Sequence, residues 1–220
     1  MASTTIMVSI AILIVSTVGA MGLYFISFNI SKKEKKQHLE IVTSYGIQFV
    51  IYMWVGKVLV SLPKAIADPL SVLAYPGDSW AFYTATVLTL LHLFIQSKRQ
   101  KVQPNLLFQG FVPIFFFASF IYEFIQITVE GTPLNFYFLG ITAMTLVMMF
   151  VYQTQVAGII GSWMMIAWAA GSSLLAFIKG YVVVFDYLLK PWYFIALTFF
   201  FIGVLVSTKK KIAMQADVTQ

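Results

Sequence analysis

Three ionisable side chains fall inside apolar runs of this sequence, and they are the residues best placed for chemistry in a bilayer: Lys57, His92 and Glu123. A charged group in hydrocarbon is costly enough to need a partner, a watery cavity or a function. Lys57 lies five residues before the outer end of the second apolar run, and Glu123 lies five before the outer end of the fourth. At 1.5 Å per residue both sit about 7 to 8 Å inside the boundary. At matching depths the ammonium and the carboxylate are expected to meet. Either they form a polar cavity open to the outer leaflet, joined by Gln126 one turn outward from Glu123 and by Tyr83 of the third run, or they are a structural ion pair or two snorkelling chains that tie helices together. His92 has no second membrane histidine and cannot build a bis-histidine haem site, so a hydrogen-bonded packing role is expected. Ser172 and Ser173 need a general base to act as nucleophiles, and none shares their helix face. Their hydroxyls are expected to bond back to the helix.

These residues require membrane helices to position them. The chain has 220 residues, is 60% hydrophobic and only 10% charged, with a mean hydropathy of +0.88; a soluble domain carries about 25% charged residues. That excludes a water-soluble globule. Cysteine is absent, which excludes disulfides, thiolate metal sites, iron–sulfur clusters and cysteine nucleophiles. Charges divide the sequence into runs of about the 20 apolar residues that a span needs. The first covers residues 1–31, and six more follow at Ser44–Leu62, Trp80–Gln96, Leu107–Thr128, Leu134–Tyr152, Val156–Ile178 and Pro191–Ser207. Seven spans are predicted in one domain, 1–211, with a polar, frayed tail at 212–220. The uncharged stretch Gly131–Ile178 is too long for one helix, so a turn is placed at Gln153-Thr154-Gln155.

No Lys or Arg precedes Lys32, so the first run reads as a retained helix rather than a cleaved leader. With the N-terminus outside, ten cations fall on the cytoplasmic side: Lys32, Lys33, Lys35, Lys36, Lys98, Arg99, Lys101, Lys209, Lys210 and Lys211. Three fall outside: Lys64, Lys179 and Lys190. The positive-inside rule then gives N-out and C-in, and it accounts for the net charge of +6 without nucleic acid. The outside loop Pro63–Ser79 surrounds an apolar Ile66–Tyr75 stretch with Pro and Gly and is expected to lie in the interface. Trp80 and Trp192 fit an aromatic belt. Ala167 and Gly171, four apart, predict a close helix approach, and Pro113 predicts a kink in the fourth span.

In the order of these features the chain resembles the bacterial prolipoprotein diacylglyceryl transferases. That family has seven spans, N-out and C-in, with a basic turn after the first. Its Gly-Ala-Arg near the outer end of the second span is similar to Val55-Gly56-Lys57, and its Asn-Pro-Leu-Glu-Ile-Leu loop to Asp68-Pro69-Leu70-Ser71-Val72-Leu73. Lys98-Arg99-Gln100-Lys101 and Pro113 match the basic turn and the proline-bearing fourth helix, and Trp168 to Lys179 matches the family's late Tyr-Gly-Leu-Gly-Arg run. The resemblance implies a cytoplasmic-membrane protein that handles phospholipid, and a family activity that moves a diacylglyceryl group from phosphatidylglycerol to a lipoprotein cysteine.

The family's catalytic motifs are altered at the matched positions. Its His-Gly-Gly falls on Tyr83-Thr84-Ala85, its Gly-Arg-Ile-Gly-Asn-Phe on Tyr122 to Ile127 with Glu123 in place of arginine, and its second arginine on Ser172. A phosphodiester needs fixed positive charge, and an ionised carboxylate repels it. The expectation is a catalytically inactive relative that binds lipid or a membrane or lipoprotein partner, with Lys57, Tyr83, Glu123, Gln126 and Ser172 around its site and no metal or cofactor. Two alternatives remain: an active divergent transferase using Lys57, Tyr83 and Glu123, and a small transporter, which also places an ionisable pair in a bundle.

Overall fold

The computed structural model describes residues 2–68, 78–130, 136–151 and 157–218. Helices dominate: α1 (Ala2–Ser27), α2 (Lys32–Val60), the short α3 (Leu62–Ala67), α4 (Ser79–Lys98), α5 (Pro104–Glu130), α6 (Phe136–Val151), α7 (Ala157–Lys179) and α8 (Pro191–Val218). Five of them, α1, α2, α5, α7 and α8, are long and apolar enough to cross a membrane. The uncharged stretch does divide into two helices, α6 and α7; the turn expected at Gln153–Gln155 lies outside the described residues, as does most of the loop expected in the interface. The tail does not separate from the last helix, because α8 runs on to Val218.

Local chemistry sets the helix ends. At the start of α2, Ser31 Oγ accepts the Glu34 N–H while Glu34 Oε2 accepts the Ser31 N–H, a reciprocal capping box that turns α1 into α2 over four residues. Asp78 caps α4 by accepting the Ala81 N–H at 2.9 Å. Pro104 and Pro191 open α5 and α8, where a missing N–H costs nothing. Pro113 lies within α5.

α5 is the central helix and packs against α1, α2, α6 and α7. Close approach depends on glycines. A Cβ on Gly110 of α5 would lie 2.9 Å from His38 Cβ of α2, and one on Gly161 of α7 would lie 3.0 Å from the Phe108 ring of α5. The stripe expected at Ala167 and Gly171 is not the tight one. Ala167 is exposed, and a Gly171 Cβ would make only an ordinary 3.5 Å contact with Ile141. The seam instead carries Gly158, Gly161, Met165, Trp168 and Ser172 on one face of α7.

The contacts also collect the basic residues. Gly158 near the start of α7 meets both Asn105 at the start of α5 and Thr208 late in α8, while His38 near the start of α2 meets Gly110. Lys32, Lys33, Lys35, Lys36, Lys98, Arg99, Lys101, Lys209 and Lys210 therefore share one end of the bundle, while Lys57, Lys179 and Lys190 lie toward the other.

Between α7 and α8 the chain forms a β-hairpin that was not expected. β1 (Val182–Val184) pairs antiparallel with β2 (Tyr187–Leu189), Val182 opposite Leu189 and Val184 opposite Tyr187. Its two-residue turn, Phe185-Asp186, has φ of 48° and 73°, the left-handed pattern that a type I′ turn needs and that Asn-Gly adopts most easily. From the level where Gly158 meets Thr208, the 21 residues of α7 up to Lys179 rise about 32 Å, and the 17 residues of α8 back to Pro191 rise about 26 Å. The hairpin thus drops back into the bundle. Phe185 at its tip packs against both Phe115 and Tyr122 of α5, at 5.9 and 5.4 Å between ring centroids.

Candidate functional site

The five residues singled out from sequence separate into two groups. Lys57 and Tyr83 belong to a cap at the end of the bundle opposite the basic residues, built by α2, α4, the hairpin and the start of α8. Asp78, the N-cap of α4, is the carboxylate whose charge acts on Lys57. The two helices are close there, since a Cβ on Gly56 would lie 3.0 Å from Ala81 O. Tyr83 is buried, and its hydroxyl accepts the Lys190 N–H at 2.9 Å. Its ring packs against Trp192 at 4.5 Å, Tyr193 at 5.0 Å and Trp80 at 5.7 Å. Ser79 Oγ donates to Leu188 O at 2.6 Å, and the Thr86 hydroxyl shares a 3.0 Å hydrogen bond with the Tyr193 hydroxyl. Trp80 and Trp192 remain half exposed at the rim, where an aromatic belt belongs. Tyr83 is thus held in the architecture of the cap.

Glu123, Gln126 and Ser172 lie in the interior along the seam between α5 and α7. Glu123 is 1% exposed, and its Oε2 has no hydrogen-bond partner among the described residues. The expected pairing with Lys57 does not form. Helix lengths explain this: α2 ends three residues after Lys57, whereas α5 continues seven residues beyond Glu123. The carboxylate is therefore about 10 Å from its helix end and the ammonium about 4 to 5 Å from its own. The shared depth depended on ending span four at Thr128 and span two at Leu62. Gln126 turns to a neighbour on its own helix, donating from Nε2 to the Tyr122 hydroxyl at 2.9 Å.

Ser172 corrects a second expectation. Its hydroxyl does not bond back to the helix; it is fully buried with no partner among the described residues. Ser162, on the same helix, does bond back, to Gly158 O at 2.8 Å. His92 behaves as expected: Nδ1 lies 2.8 Å from the Tyr52 hydroxyl and 3.2 Å from Gln48 Nε2, and the Tyr45 ring meets the imidazole edge-on.

Contacts along the seam fix its register. Gly158 meets Asn105, Gly161 meets Phe108 and Trp168 meets Phe115, each pair 53 residues apart, so α5 and α7 run parallel and in step. The same offset puts Ser172 level with Ser119, and both lie on the faces that carry these contacts. Ser119 Oγ and Trp168 Nε1 are also buried without partners. Four orphaned polar atoms therefore line one seam: Ser119 Oγ, Glu123 Oε2, Trp168 Nε1 and Ser172 Oγ. Orphaned buried groups are uncommon in folded proteins, and each calls for an explanation. Sequence reading missed Ser119 and Trp168; the signal available was the 119–123 and 168–172 spacing of i and i+4, which stacks each pair on one helix face. Phe185 of the hairpin, seated between Phe115 and Tyr122, closes the seam at this level.

No protein-family model, no curated protein and no solved structure matches the chain. The seam offers a carboxylate, two hydroxyls and an indole N–H in a buried setting, while Lys57 lies in the cap.

Proposed function

We propose that this integral membrane protein crosses a bacterial cytoplasmic membrane seven times, with the basic end of the bundle in the cytoplasm, and that it is a non-catalytic relative of the prolipoprotein diacylglyceryl transferases that binds lipid or a membrane or lipoprotein partner. Two further spans, α4 and α6, join the five long ones. α4 has the 20 residues that cross a hydrocarbon core of about 30 Å, and α6 packs between α5 and α7. The gathering of nine cations at one end supports the orientation through the positive-inside rule.

The observation that carries the non-catalytic reading is the electrical character of the seam. Glu123 and Ser172 stand where the resemblance would place two arginines, and among the described residues Glu123 is buried without an ion pair. A phosphodiester headgroup finds no fixed cation on the described residues of this seam to hold it, and Glu123 supplies at best a neutralised acid where an arginine would supply positive charge. Tyr83, standing where the resemblance would place a histidine, has its hydroxyl engaged by a backbone N–H. The test is a direct assay with purified protein, phosphatidylglycerol vesicles and a lipobox peptide. No diacylglyceryl-modified peptide is expected. Transfer that changes rate in Glu123→Ala refutes the non-catalytic reading and establishes the divergent enzyme.

A further inference from the structure

We propose that the α5–α7 seam is a binding site for one small monovalent cation, a sodium ion or a proton, held on the Glu123 carboxylate between the Ser119 and Ser172 hydroxyls. An uncompensated carboxylate in a low-dielectric interior is costly, so a folded chain must bring it one positive charge. Among the described residues the surrounding helices do not supply it. α1 and α6 carry no charged side chain. On the half of α2 nearest the cap the cation is Lys57, which answers to Asp78. On α7 it is Lys179, at the helix end and level with Gln126, and no ion pair to Glu123 is formed by either lysine among the described residues.

Oxygen atoms are available in the seam. Ser119 lies one turn below Glu123 on the same helix, and Ser172 of α7 is level with Ser119 by the 53-residue register. A third hydroxyl stands close in level. A Cβ on Gly19 of α1 would lie 3.2 Å from Ile121, and Ser16, one turn toward the cap, is fully buried with its Oγ unpartnered among the described residues. Among the described residues no three His, Asp or Glu side chains gather as a metal site. A single carboxylate with neutral hydroxyls matches a single positive charge better than a divalent ion, which takes several charged or carbonyl ligands. This proposal does not depend on the family resemblance.

A hydrophobic carbodiimide tests it, because the reagent modifies a carboxyl that carries a proton and is blocked where a metal ion holds the carboxylate. The protein in lipid nanodiscs is treated in choline chloride and in sodium chloride of equal ionic strength, and Glu123 is read by peptide mass spectrometry. Modification in both salts identifies the proton. Modification in choline but not in sodium identifies the sodium ion, and Ser172→Ala then weakens sodium protection while leaving the carboxylate intact. Thermal unfolding in the two salts gives a second readout: sodium raises the midpoint of the wild type and not that of Glu123→Gln if the ion is the ligand. The proposal is overturned if Glu123 is unmodified in both salts and the wild-type midpoint is the same in both.

Discussion

The cap and the seam are both rich in polar groups and aromatic rings, and they treat their polar atoms in opposite ways. In the cap, the hydroxyls of Ser79, Tyr83, Thr86 and Tyr193 all have partners, and those of Ser79 and Tyr83 reach the backbone that leads into α8. In the seam, Ser119, Glu123, Trp168 and Ser172 each leave an atom unmatched. A satisfied network fixes architecture, because removing one partner orphans the other. An unsatisfied set fixes nothing by itself and is retained at a cost, so it points to something that binds. The contrast separates Tyr83 from Glu123, two residues that the resemblance to the transferases would have placed in one site.

Substitutions can break or sharpen this contrast. The largest effect is expected at Trp168, whose ring meets Phe115, Phe138 and Phe194 at 4.9, 6.5 and 5.7 Å. Trp168→Ala should cost about 3 to 5 kcal/mol, seen as a marked fall in the thermal midpoint in detergent. Next is Gly161→Val, which drives a branched chain into Phe108 and should cost about 1 to 3 kcal/mol by the same measurement. In the cap, Tyr83→Phe strips the acceptor from the Lys190 N–H and should cost about 1 to 3 kcal/mol. At the hairpin tip, Asp186→Gly relieves a left-handed backbone at φ 73° and should raise stability by roughly 0.5 to 1 kcal/mol. The smallest effect belongs to Ser119→Ala, where no hydrogen bond is lost. Measured in choline salt, it should shift stability by less than about 0.5 kcal/mol. A Ser119→Ala cost as large as that of Tyr83→Phe would erase the distinction between the two regions.

Much of the helical layout could be read from the sequence, because charges interrupt apolar runs at spacings that bilayer thickness dictates. The division of Gly131–Ile178 into α6 and α7 and the hydrogen-bonded role of His92 followed from length and from the lack of a second membrane histidine. The hairpin did not follow. Val182-Val183-Val184 has strand propensity, but Phe185-Asp186 carries no glycine or asparagine to mark a left-handed turn, and the run reads as a loop. The Lys57–Glu123 pairing failed because depth was counted from the ends of apolar runs, while the helices end at Val60 and Glu130. The Ala167–Gly171 stripe failed because small residues permit a close approach without saying which face the neighbour takes. Ser119 was passed over because a single serine in an apolar helix usually bonds back to its own backbone, as Ser162 does.

Headgroup selectivity of the bound lipid tests most directly the claim that the interior cannot hold a phosphate anion. Wild-type protein and Glu123→Gln are delipidated, exposed to equal amounts of phosphatidylglycerol and phosphatidylethanolamine of the same chain composition, and weighed by native mass spectrometry. The wild type should retain phosphatidylglycerol no more than phosphatidylethanolamine, and Glu123→Gln should match it. Selective retention of phosphatidylglycerol by the wild type, lost in Glu123→Gln, would contradict the account.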